Sequence, residues 1–521
     1  HAGASHPAGI AETDIRGDNL MPPVGSGFLS KWMEISKRVS MAVSSPEHLA
    51  NPFLNILNAT SKSASQYPDL LGKRSLLWRF GHSLAGALVM LARSVLYWPR
   101  AIRLDDQPGN PDVIIISHLT HPRHLEETAD FYFGSLAEII EAGGWRTHTV
   151  LINHARVGNQ ASSRGGVSVL PAFLSPLGEL GMILRLMAAA FSLPCPKPDK
   201  PGTNKDERRF QRLARLAQFG NIAIGDYRIG TMLARMINKT SPTAIIHTYE
   251  GHGWERIVAT TAHSLAEPAT VLGYQHAVIF PGEKSILDER GIASPDHIFT
   301  TGESTLAILT RDSAIPAERF SILGSIKAST PGKTARANEV NFRADGACLI
   351  APEGTMGEVM LMAGFAIETA RNNPDQGFIL RLHPVMPRRE VERKLAGFGP
   401  LPANFMLSDA SLDDDLLRSS WLCYRGSTVA LQGILAGLRP IYLNPDDSAR
   451  TNDPIPDDLA FRRVASSWQG LAVILNADRQ NPGGGQAELK DALRFARDYL
   501  MPYQPEAVVK TLKAFQDKAT Q

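Results

Sequence analysis

From Asp112 onward, short apolar runs of strand length alternate with longer segments of helical character, and this recurrence limits the fold more than any other feature. The first set is VIIIS (113–117), HTVLIN (148–153), AIIHTY (244–249), ATVLGYQ (269–275) and HIFTTG (297–302). The second is FSILG (320–324), ACLIAP (347–352), GFILRLHP (377–384), SWLCYRG (420–426) and PIYLN (440–444). Runs this short that are apolar at successive positions suit strands covered on both faces, which is the condition of a parallel sheet between layers of helix. Segments such as 132–142 and 254–264 supply those helices. An α/β chain with two Rossmann-like units in tandem is the expectation.

A chain of 521 residues has room for two large domains, each with a sizeable interior. Residues 1–23, rich in Gly, Ala and Pro, read as a flexible arm, and 24–111 as a mainly helical extension. The first sheet unit then occupies 112–326, a polar linker (KASTPGKTARANEVN) 327–341, the second unit 342–487, and two helices broken at Pro502 and Pro505 the remainder, 488–521. With 54 basic and 52 acidic residues, no global field draws the protein to nucleic acid. The cysteines Cys195, Cys348 and Cys423 show no metal-ligand spacing, and no charged-then-apolar leader opens the chain, so a reducing cytoplasmic setting is expected. Two apolar segments, 75–97 and 170–193, carry Arg79, His82, Arg93, Glu179 and Arg185, which makes them buried or interfacial helices rather than clean spans. The alternative is peripheral docking on the inner face of a membrane through Trp78, Leu88, Met90 and Trp98.

In open parallel sheets ligands bind beyond the carboxyl ends of the strands, so the residues just after each apolar run carry the information. In the first unit these loops are strongly polar. Run 113–117 leads to His118 and His121, with Asp130 further on; 148–153 leads to His154; 244–249 leads to Glu250, His252, Trp254 and Glu255; 269–275 ends in Gln275 and is followed by His276. A single loop histidine is ordinarily surface, but here the pattern recurs at one edge. In the second unit the corresponding loops hold Glu353 and Gly354, then Arg381, His383 and Pro384, then Ser427 and Thr428. Ser427 and Thr428 open a helical segment, where free backbone N–H groups favour a phosphate, although Ser427 as a simple N-cap is the plainer reading. His383, restricted by Pro384, can donate to a phosphate oxygen or be a turn histidine.

Glu250-Gly-His-Gly-Trp-Glu255 with Gly273-Tyr-Gln-His276 resembles the E-x-x-x-W-E and G-x-Q-H elements of bacterial surface-carbohydrate biosynthesis proteins. Arg381-Leu-His-Pro384 and the Ser427-Thr428 loop look like the R-x-H-P and Ser/Thr elements of GT-B glycosyltransferases with cytidine-nucleotide donors, such as capsule Kdo transferases and polysialyltransferases. The resemblance implies two Rossmann-like domains facing across a cleft. It implies a CMP-linked sugar, Kdo or another nonulosonic acid, held by Glu353, Gly354, Arg381, His383, Pro384, Ser427 and Thr428. It also implies a glycan or glycolipid acceptor on the side of His154, His252, Trp254, Glu255, Gln275 and His276. Departures from the pattern are His252 and Gln432, the latter standing where many such enzymes place a ribose-binding Glu.

An inverting transfer needs a base on the acceptor hydroxyl; Glu250, His118, His121 and Asp130 are the candidates, Glu250 first. Glu255 reads as a loop-orienting residue, and Trp254 as either core or sugar platform. No cofactor or metal is expected. Asp413-Asp414-Asp415 reads as the acidic first turn of a helix, and the histidines lack zinc spacing. The rival readings are a CDP-alditol glycerol- or ribitol-phosphotransferase, a UDP-sugar epimerase, and a non-catalytic nucleotide- or glycan-binding scaffold.

Overall fold

A computed structural model describes residues 38–39, 42–43, 45–55, 75–100, 109–127, 129–158, 166–194, 204–280, 286–288, 290–328, 342, 344–384, 386–445, 453–456 and 458–520. The expected arm at 1–23, Cys195 and positions 329–341 of the expected linker lie outside the described residues.

The first sheet contains β1 (Val113–Leu119), β2 (Thr147–Asn153), β3 (Val167–Val169), β4 (Ala244–Thr248), β5 (Thr270–Gln275), β6 (His297–Thr300) and β7 (Phe320–Ile322) in the order β3-β2-β1-β4-β5-β6-β7. The second contains β8 (Ala347–Ala351), β9 (Phe378–Leu380), β10 (Phe405–Leu407), β11 (Ser419–Tyr424), β12 (Arg439–Leu443) and β13 (Arg463–Ala465) in the order β10-β9-β8-β11-β12-β13. Every pairing is parallel. The tandem α/β architecture expected from the apolar runs is therefore present. In each sheet the strand order reverses at one place, between β1 and β4 and between β8 and β11, which opens a crevice at the carboxyl ends there.

Successive side chains of each central strand enter opposite cores, as a pleated backbone requires. Ile114 and Ile116 pack with helices Asn221–Thr240 and Gly253–His263 through Leu233 and Val258, whereas Val113 and Ile115 meet Leu136, Val508 and Leu512 on the other face. In the second sheet Leu349 and Leu422 face helices Val429–Leu435 and Gln486–Tyr499, and Cys348 and Trp421 face Met356–Asn372.

Two element readings change. FSILG, grouped by sequence with the second set, hydrogen-bonds to β6 and forms the edge of the first sheet, because Ile298, Phe299 and Thr300 pair with Phe320, Ser321 and Ile322. The run 377–384 is strand only to Leu380: pairing with β8 stops at Ile350–Leu380, and Arg381 and His383 lie beyond it. β3, β10 and β13, each an outer strand of three residues, lack a run long enough to stand out.

Candidate active site at the junction of two sheets

The loop leaving β4 is shaped by a single carboxylate. Gly251 adopts φ +81°, a left-handed conformation natural to glycine, so the chain curls and the backbone N–H groups of Glu250, Gly251 and His252 all donate to Glu255 at 2.9, 2.7 and 3.0 Å. Glu255 lies in the first turn of helix Gly253–His263, where the helix dipole favours negative charge. Burial nonetheless pushes its carboxyl up to about 7, against the opposing influence of His252 and those donors.

This loop turns Glu250 towards two histidines. Its Oε2 lies 3.1 Å from His252 Nε2 and its Oε1 3.0 Å from His276 Nε2. Burial alone would raise the Glu250 carboxyl; hydrogen bonding and charge from the two imidazoles prevail and hold it well below the usual range. His252 moves the other way: burial opposes its charge, but Glu250, Glu255 and Asp226 lift it to about 10, so at neutral pH it is an imidazolium.

A second chain of groups runs beside the first. His118 Nε2 is 2.7 Å from Thr248 Oγ1 and its Nδ1 2.9 Å from His154 Nε2. Burial and the adjacent His154 keep His118 well below its ordinary value and hence neutral. With both ring nitrogens engaged, His118 acts as a link and His154, which is exposed, is its open end. His118, His154, Glu250, His252 and His276 thus gather at the ends of the adjacent strands β1, β2, β4 and β5.

Other sequence candidates fall outside this group. Trp254 is 2% exposed and packs in the core beneath His118, with ring centroids 5.8 Å apart, so it is no sugar platform. His121 caps a turn by accepting the Arg123 N–H, and Asp130 Oδ1 accepts from Ser117 Oγ and the N–H groups of Tyr132 and Phe133. Through these bonds both residues anchor the β1 exit loop, His121 by its Nδ1 and Asp130 by its Oδ1. Gln275 is buried, with its amide donating to the Ala277 carbonyl at 2.6 Å.

On the second sheet the loop after β8 repeats the device of the β4 loop: the Glu353 N–H donates to Glu358 at 2.8 Å. The sequence carries it as Glu-Gly-x-x-x-Glu at 250–255 and again at 353–358, a repeat that inspection for fixed periods overlooks. His383 and Pro384 are exposed. Arg381 is not a ligand-facing cation: its Nη1 donates to the Ala410 carbonyl and to Asp415, both at 2.8 Å, tying down the 408–415 loop. Asp415 is fully buried and also receives Arg418 and Ser408, which places the third residue of the Asp413–Asp415 triplet in a structural ion-pair cluster. Gly426 turns the chain at φ +58°, and Ser427 Oγ accepts the Val429 N–H at 3.3 Å.

Two cations escaped the sequence reading. Arg425, at the end of β11, lies 5.8 Å from the centre of the Tyr442 ring; its guanidinium makes no hydrogen bond or ion pair among the described residues, and its Nε is buried. Lys327 opens the stretch that reads as linker. Burial lowers its ammonium, and Glu250 is the charge that opposes this. Residues Ile326–Ala328 pack against helix Val429–Leu435, and Val278, just past β5, enters the core that holds Ala351 and Tyr424. The carboxyl ends of the two sheets are thereby brought to one junction, with Lys327 between Glu250 and the Ser427 helix. The only hint of either cation in the sequence is a basic residue at a strand or turn end.

No family model and no curated protein matches the chain. Among solved structures it is similar to the UDP-GlcNAc 2-epimerase of Neisseria meningitidis bound to UDP-GlcNAc, at 11% identity over 78% of this chain and 99% of that one, with a TM-score of 0.45. The UDP-GlcNAc 2-epimerase of Methanocaldococcus jannaschii gives 12% identity, 77% and 99% coverage and a TM-score of 0.37. The glycotransferase of kitacinnamycin gives 11%, 78%, 99% and 0.45. Likeness at this level concerns chain layout and says nothing of the residues in the cleft.

Proposed function

We propose that this protein transfers a glycosyl group from a nucleotide-sugar donor, held at the second sheet, to a hydroxyl acceptor held at the first, without a metal ion. The observation that carries this reading is the ionised Glu250, flanked by His252 and His276, at the same junction as Arg425 and the Ser427 loop. In such a transfer the bond from the anomeric carbon to the nucleotide phosphate breaks and negative charge grows on the phosphate; Arg425, His383 and the hydroxyls of Ser427 and Thr428 supply donors there. The acceptor hydroxyl loses its proton to Glu250. A carboxylate this acidic is a weak base, so it suits a transition state in which the leaving bond is already largely broken and the hydroxyl correspondingly acidified.

The finer donor assignment, CMP-Kdo or another CMP-linked nonulosonic acid with a bacterial surface glycan as acceptor, rests on the sequence resemblance alone. The test is incubation of the purified protein with CMP-Kdo, CDP-glycerol and UDP-GlcNAc, each with and without acceptor and with a chelator present, following released nucleotide and altered sugar by chromatography. Acceptor-dependent release of CMP supports the full reading, and acceptor-dependent release from another donor keeps transfer while replacing the sugar. An epimerised sugar formed without acceptor, or no turnover of any donor, overturns it.

A further inference from the structure

Two neighbouring helices of the first domain turn an uncharged apolar face outwards. On Leu76–Tyr97, Leu77 is 80% exposed, Leu88 57% and Leu96 74%; on Pro176–Ser192, Leu177 is 82% and Phe191 83% exposed. Gly81, Ala85 and Ala92 continue the first stripe, where His82 stacks on Trp78 as its one exposed polar ring, and Gly181 and Ala188 continue the second. The helices pack on one another, which joins the stripes into one exposed apolar surface.

The face is outward by construction. Beneath it Ala87, Met182, Ile183 and Leu186 share a core with Tyr227, and Glu179 forms a buried bidentate pair with Arg228 at 2.5 and 3.0 Å. Glu179 is the only acidic residue on the two helices, and it is the buried one; Arg93 and Arg185 border the stripes.

We infer that this surface docks on a lipid bilayer with anionic headgroups, both helices lying in the plane of the interface. An apolar surface edged by Arg93 and Arg185, with no exposed carboxylate among the described residues of its two helices, matches the boundary between acyl chains and anionic headgroups. A second copy of the chain fits less well, since a two-fold contact would bring Arg93 against its own copy on a face whose two helices expose no carboxylate among the described residues. Helix Leu76–Tyr97 is by its 22-residue length and composition able to cross a membrane. It also packs against helices Asn204–Ala217 and Asn221–Thr240 and buries Ala87 and Ser94, contacts that a span would strip away. Helix Asn221–Thr240 connects the platform to the cleft, because its Asp226 accepts the Gly253 N–H at 3.1 Å. The docking goes beyond the proposed reaction and does not depend on it.

The test is flotation of the full chain with vesicles of phosphatidylcholine alone and with phosphatidylglycerol added, alongside light scattering of the protein without lipid. The wild type should float with the phosphatidylglycerol vesicles, and Leu88→Asp with Phe191→Asp should weaken this by at least about tenfold at an unchanged unfolding temperature. Leu88→Ser with Phe191→Ser, a milder change at the same exposed positions, should weaken it in the same direction. Wild-type protein that binds neither vesicle, or paired variants that bind as the wild type does, would overturn the inference. So would a wild-type dimer that the variants dissociate while no form floats.

Discussion

At the scale of single residues the cleft depends on Glu250 being charged and held still. Glu250→Gln keeps the shape but removes the anion; if Glu250 is the base, kcat should fall roughly 10²- to 10⁴-fold while nucleotide affinity stays within about twofold, read from steady-state kinetics and calorimetry. Arg425→Ala should act on the opposite wall. A charge-assisted hydrogen bond contributes about 1.5–3 kcal/mol, so affinity for the released nucleotide should drop roughly tenfold or more, and unchanged affinity would remove Arg425 from the donor site. His252 offers a test by pH. Its value is raised from 6.5 to about 10 in the folded state, so its contribution to stability is complete below about 6.5 and is lost as pH rises through about 10. Thermal melts of the wild type and His252→Gln should therefore differ most near pH 6 and converge above pH 10; a gap that widens with pH would contradict the pairing with Glu250.

Among elements, the central strands and their covering helices were readable because their signals are local: apolar runs, and breakers such as Pro502 and Pro505, which separate helices Gln486–Tyr499 and Glu506–Thr520. The residues that close the strand-end loops were readable in part. Glu255 sits where its spacing suggests, one turn into a helix, whereas Asp130, His121 and Arg381 have the residue types of active-site groups and are also found bonded to the backbone of their loops. Nothing in residue type tells those uses apart; the difference lies in which donor or carbonyl the fold brings near. A comparable knot holds the far edge of the second sheet, where Asp478 receives Trp421 Nε1 at 2.7 Å together with Arg439 and Arg463. Asp478 and Arg439 are 6% and 5% exposed at their side chains. Asp478→Ala should leave the buried Arg439 without its carboxylate and destabilise the protein by about 3–5 kcal/mol, measured by denaturant unfolding. A loss under about 1 kcal/mol would show the cluster to be solvated.

For the whole molecule the decisive feature is the return of the chain's end to the first domain. After helix Gln486–Tyr499 packs on the second domain, Met501 and Gln504 donate to the carbonyls of Thr301 and Leu323 at 2.9 and 2.8 Å, and helix Glu506–Thr520 covers the first sheet with Val508 and Leu512. Leu512, 4% exposed, should cost about 2–5 kcal/mol when cut to Ala, and the loss should appear in unfolding of the first domain although the residue lies far along the chain. By itself the sequence determined the two sets of strands, their parallel buried character and the polar loops beyond them, because periodicity and apolar content act over a few residues. Only the tertiary structure decided that β7 joins the first sheet, that Cys348 and Cys423 lie 3.4 Å apart as free thiols, that His118 meets His154 and Glu250 meets His276, and which side of helix Leu76–Tyr97 faces out. Each of these is a contact between distant segments, fixed by ladder order and packing, and no local preference of the chain encodes it.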